Sequence, residues 1–102
     1  TPYAGPQNNP MYPPMLLPVD RRIGRQRAKL LERKLAERTL IIFTSDNGGL
    51  ATSEGPLTPA TSNAPFREGK GWLYEGGIRI PLIMAGAGVI RPGRTTETAI
   101  IG

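Results

Sequence analysis

The apolar positions change their spacing along the chain, and each change predicts an element. Between residues 20 and 36, Gly24, Ala28, Leu31 and Leu35 recur at helical spacing, flanked by Ile23 and Leu30, with Asp20 placed to cap the first turn. A helix is predicted from Asp20 to about Ala36, its narrow stripe facing a core and its basic residues facing solvent. At Leu40 the period is lost. Leu40 to Phe43 reads Leu-Ile-Ile-Phe, the pattern of a strand apolar on both faces, as strands of a parallel sheet are. Residues 45–77 sustain a period of neither 2 nor 3.6. A connection that long inside a compact domain is usually functional or disordered, and Phe66, Trp72 and Tyr74 argue against disorder. A second strand is predicted over Ile78 to Ala85, its regular part starting at Pro81, which has no ladder donor. Gly86 to Gly93 reads as a turn region, and Ala99 to Ile101 as the start of a further element.

Ahead of the helix, prolines stand at 2, 6, 10, 13, 14 and 18, interleaved with Tyr3, Met11, Tyr12 and Met15. Proline fixes its own φ and pushes its predecessor out of the helical region. Residues 1–19 are therefore expected to form a proline-rich irregular connector lying on a larger body. A helix leading into a strand buried on both faces is a step of an α/β domain. One helix and two or three strands cannot cover both faces of such a sheet, so the 102 residues read as a piece of a larger domain.

Composition narrows the chemistry. With no cysteine there is no disulfide, zinc-thiolate site or cysteine nucleophile, and with no histidine the commonest general base and metal ligand is missing. Neither a membrane-spanning run nor the charged-then-apolar start of a signal peptide is present. The net charge of +5 comes from Asp20 to Arg38, which holds eight Lys and Arg against three Asp and Glu. A basic helix is usually a solvated face, and no nucleic-acid motif accompanies it. Nucleic acid is not the expected partner, and a non-catalytic basic interaction module stands as the alternative from another functional class.

The residues that could carry chemistry lie in and before the long loop. Asp46 and Asn47, directly after the first strand, offer a carboxylate and an amide oxygen, hard ligands of the kind calcium or magnesium takes. They stand where ligands bind in open α/β sheets, outside the carboxyl end of a strand. Two donors do not complete a calcium site, and Asp-Asn-Gly-Gly alone also reads as a turn. Lys70 lies between Gly69 and Gly71, which let the backbone approach a ligand. The Walker pattern fails here, because Ala64 and Gly71 stand where Gly and Ser or Thr are needed. Taken together, a cation site and an ammonium suit an anionic phosphoryl or sulfuryl group.

Thr39 to Gly49, followed by Asn63-Ala-Pro-Phe-Arg-Glu-Gly-Lys-Gly-Trp-Leu-Tyr-Glu-Gly-Gly-Ile-Arg-Ile-Pro-Leu at 63–82, resembles the later part of the catalytic domain of the type I sulfatases, in the alkaline phosphatase superfamily. Asp20-Arg-Arg-Ile-Gly is similar to the start of the helix before the metal strand in that family. The resemblance implies a fragment of an alkaline-phosphatase-like α/β sandwich with a mostly parallel central sheet, residues 20–102 being a partial catalytic domain. It implies Asp46 and Asn47 as calcium ligands, Lys70 as the catalytic, substrate-binding contact to the sulfate ester, and Glu75, Gly76, Gly77 and Arg79 as shapers of the loop rim. The expected reaction is hydrolysis of a sulfated small molecule or glycan, with a phosphodiesterase or phosphonate hydrolase of the same superfamily as the enzymatic alternative. The formylglycine nucleophile and the remaining calcium ligands would lie upstream, so the rest of the catalytic domain is required and these residues alone are expected to be inactive. Location in the periplasm or outside the cell follows from the same resemblance. Thr1-Pro2 is similar to a Thr-Pro that follows an upstream histidine in the family. Three departures stand out: Pro13, Pro14 and Pro18 fall where the family continues a helix and would each interrupt one, Gly86-Ala87-Gly88 replaces a Trp-Pro-Gly type turn, and most of the region between Thr1-Pro2 and the helix is shortened.

Overall fold

The computed structural model of the protein describes residues 9–88 and 90–100. Thr1-Pro2, the prolines at 2 and 6, and Ile101 lie outside them. Ala99 and Ile100 carry no regular structure.

The first helix, α1, spans Tyr12–Glu32 and so occupies much of the segment expected to be irregular. Its prolines are tolerated for a positional reason. Pro13 and Pro14 fall in the first turn, where backbone N–H groups have no intrahelical acceptor in any case. Only Pro18 lies in the interior, where it withholds one bond of the ladder. Asn9 secures the start, its Oδ1 accepting the Met11 N–H at 2.9 Å. The far end comes earlier than Ala36. Lys34 adopts φ 55°, and the N–H groups of Lys34 and Leu35 turn back to the carbonyls of Leu31 and Leu30 at 3.0 and 2.8 Å. This is a Schellman closure built on a non-glycine residue, so no glycine marks the stop.

The predicted stripe packs only in part, through Ile23, Leu30 and Leu35. Leu31 is 66% exposed, and nothing lies within 4 Å of a Cβ built on Gly24. Ile23 and Leu30, half-buried and one heptad apart, instead face the first strand across an open groove that Leu35, Leu40, Ile41 and Ile42 also line. The basic residues Arg21, Arg22, Arg25, Lys29 and Arg33 are exposed as expected.

After a short 3-10 turn at Ala36–Arg38, β1 covers Leu40–Thr44. A one-turn helix, α2, covers Glu75–Ile78, and β2 covers Leu82–Gly86, so the second strand begins just past Pro81 and not at Ile78. The two strands pair antiparallel, from Leu40 opposite Gly86 to Thr44 opposite Leu82. The parallel arrangement expected from the apolar run is therefore not what this pair adopts. An apolar run reports that both faces are to be covered, and it does not report strand direction.

Neither face is fully covered by the described residues. Ile42 and Ile83 are 54% and 61% exposed, and the one hydrophobic residue buried among those described is Ala60 at 7%. The accessible surface is 8549 Å², against about 5,600 Å² for a folded monomer of this mass. The radius of gyration is 16.1 Å, against about 13 Å for a compact chain of this length. The surplus surface, about 2,900 Å², is well above the roughly 800 Å² that each partner buries in an interface of standard size.

Candidate metal and anion site

The buried residues among those described, Ala60, Gly69, Gly76 and Gly77, all lie in the loop between the strands, where glycine backbones interlock. β1 delivers the chain to Ser45, whose Oγ donates to the Asn47 carbonyl at 2.9 Å and tightens the turn. Asp46 is exposed and Asn47 half-buried. The next residues are tied to the far end of the loop: the Gly48 N–H donates to Gly77 O at 2.8 Å, and the Lys70 N–H to Gly49 O at 3.0 Å. The Gly76 N–H donates to Arg67 O at 2.9 Å and closes the weave. These bonds bring the Gly-Lys-Gly turn against the residues that directly follow Asp46 and Asn47.

Close approach of backbones explains why glycines stand here. A Cβ on Gly48 would overlap the Gly76 carbonyl oxygen, and one on Gly76 would overlap the carbonyls of Arg67 and Glu68. The obstructing atoms are backbone, which cannot rotate away. Gly76→Ala is therefore expected to destabilise the full-length protein by about 1 to 3 kcal/mol. Thermal unfolding checks this, and an unchanged melting temperature would contradict the packing described.

Around this weave the arginines lie on aromatic rings. Arg67 stacks on Tyr74 at 4.0 Å from the ring centre, and Arg79 on Phe66 at 4.6 Å while its Nε meets Glu75 Oε2 at 2.7 Å. Such exposed contacts contribute about 0.5 to 1 kcal/mol each. Arg79 and Glu75 thus serve α2, which turns the chain back into the sheet.

Among the described residues, neither the Asp46 carboxylate nor the Asn47 side-chain amide enters a hydrogen bond or ion pair, and the Lys70 ammonium enters no ion pair. All three keep their polar atoms available to a ligand. As oxygen donors Asp46 and Asn47 fit calcium, whose coordination of six to eight oxygens they begin but do not complete. No cluster of three or more His, Cys, Asp or Glu occurs among the described residues that could complete it.

Sequence reading passed over Asn63. Its half-buried Nδ2 donates to Gly49 O at 2.8 Å, Gly76 O at 3.0 Å and Glu68 O at 3.1 Å, joining three parts of the loop. The signal was an amide inside the Asn63-to-Leu82 block, unremarkable because asparagine is common in turns.

No helix of the described residues is long and apolar enough to cross a membrane. The sulfatase family model matches residues 7–101. A sulfatase of Formosa agariphila is 48% identical over 64 residues, covering 63% of this chain and 10% of its own length. The steryl-sulfatase of Mus musculus is 37% identical over 94 residues, 90% of this chain and 15% of its own. Arylsulfatase A of Homo sapiens is 36% identical over 84 residues, 82% of this chain and 16% of its own. The chain thus spans between a tenth and a fifth of the length of these relatives, and by the family match it belongs to the sulfatase family.

Proposed function

We propose that this chain is part of a sulfatase that hydrolyses sulfate esters, supplying part of a calcium site through Asp46 and Asn47 and a substrate-binding cation through Lys70. The observation that carries the reading is the backbone weave. Gly48 to Gly77 and Gly49 to Lys70 hold the end of β1 and the Gly-Lys-Gly turn together although the loop separates them. That arrangement suits an anion whose oxygens would meet a calcium ion held by Asp46 and Asn47 on one side and the Lys70 ammonium on the other. Calcium, when bound, would neutralise charge on the sulfate oxygens as a Lewis acid. Lys70 binds and orients the sulfate and opposes the charge that builds on its oxygens as the ester bond breaks. The nucleophile, a formylglycine in this reading, and the other calcium ligands belong to sequence outside these residues, so the 102-residue chain alone is inactive. The ester is that of a small molecule or glycan, in keeping with relatives named steryl-sulfatase and N-acetylgalactosamine-6-sulfatase. The protein works in the periplasm or outside the cell.

The experiment is a comparison, in the full-length protein, of an aryl sulfate with the matching bis-aryl phosphate diester and aryl phosphonate ester. Sulfate hydrolysis is expected to exceed the other two. Turnover of phosphate or phosphonate with none of sulfate would overturn the reading in favour of the phosphodiesterase or phosphonate hydrolase alternative.

A further inference from the structure

We infer that Asn63 is the positioning residue that fixes Lys70 relative to Asp46 and Asn47; this rests on the anion-binding role proposed for Lys70. A side-chain amide carries two hydrogens, yet Nδ2 of Asn63 lies within hydrogen-bond distance of three carbonyl oxygens, so one hydrogen is shared. The three acceptors come from the three segments that must meet. Gly49 follows the metal-side turn, Glu68 precedes Gly-Lys-Gly, and Gly76 lies in α2. The Lys70 N–H converges on the same Gly49 oxygen at 3.0 Å, so Asn63 and Lys70 share one anchor.

Backbone geometry adds a second reason. Glu68 has φ 59°, a left-handed conformation that few non-glycine residues adopt. Its carbonyl is held by Asn63 at 3.1 Å, two residues before Lys70. Without that donor the bond from Asn63 that holds the Glu68 carbonyl is gone, and the turn carrying Lys70 is tied to Gly49 by its own N–H alone. Asn63→Asp keeps the shape but turns a carboxylate toward three carbonyls. Asn63→Ser keeps a single, shorter donor.

The test is a double-mutant cycle in the full-length protein, with the dissociation constant of inorganic sulfate read by calorimetry and folding checked by circular dichroism. Lys70→Ala is expected to weaken sulfate binding. Asn63→Ser, which brings no new charge near the anion, is expected to weaken it up to about tenfold, the scale on which supporting residues act, and to have no further effect once Lys70 is alanine. If the Ser variant does not fold, Asn63→Ala carries the same cycle. Unchanged sulfate affinity in the Asn63 variants, with Lys70→Ala still weakening it, overturns this inference alone. Equal losses with and without Lys70 also overturn it, because they indicate a general effect on the fold. No effect of Lys70→Ala would remove the proposed anion site, and this inference with it.

Discussion

Lys70→Ala in the full-length protein is expected to lower kcat/KM for an aryl sulfate about a hundredfold, the scale of removing one preorganised donor to a developing anion, while leaving the melting temperature unchanged. The separation of the two effects follows from how Lys70 is built in. Its backbone N–H makes the bond to Gly49 that holds the loop, and alanine keeps that bond. Its side chain is exposed and pairs with no carboxylate among the described residues. Truncation therefore removes charge from the site and nothing from the fold. Lys70→Arg retains the charge in a larger planar head and should recover part of the activity. Steady-state kinetics with a parallel melt decide the matter. Unaltered kcat/KM would remove Lys70 from the reaction, and a large fall in melting temperature would assign its side chain a structural role.

The second large effect concerns Asp46. A ligand that binds only the folded protein stabilises it by about 2.7 kcal/mol at a hundred times its dissociation constant. Calcium is accordingly expected to raise the melting temperature of the full-length protein, and chelation to reverse the rise. Asp46→Ala should abolish that calcium-dependent rise, because it removes the one carboxylate this chain brings to the turn. Asn47→Ala should reduce it less, since the amide oxygen is neutral. Calcium affinity unchanged by Asp46→Ala would sink the metal assignment.

Local patterns were legible where the physics is local. Leu40 to Phe43 marked β1 because four adjacent apolar residues suit a strand covered on both faces, and β1 is Leu40–Thr44. The absence of any period after Ser45 marked the loop. The prolines misled because the same residue breaks a helix interior and fits a first turn, and α1 uses Pro13 and Pro14 in the second way. The helix end was hidden because Lys34 takes a left-handed φ without a glycine to announce it.

The sulfatase blocks at 39–49 and 63–82 stand in the order of residues, so the family was readable from sequence alone, and Asp46, Asn47 and Lys70 are the candidates those blocks propose. What only the tertiary structure decided is what depends on residues far apart in the chain. The antiparallel pairing of β1 with β2 is set by how the loop returns, which no short window encodes. The role of Asn63 is likewise invisible until Gly49, Glu68 and Gly76 converge on it. An amide's hydrogen bonds are directional and short, so its partners are chosen by the path of the backbone through space, and not by its neighbours in sequence.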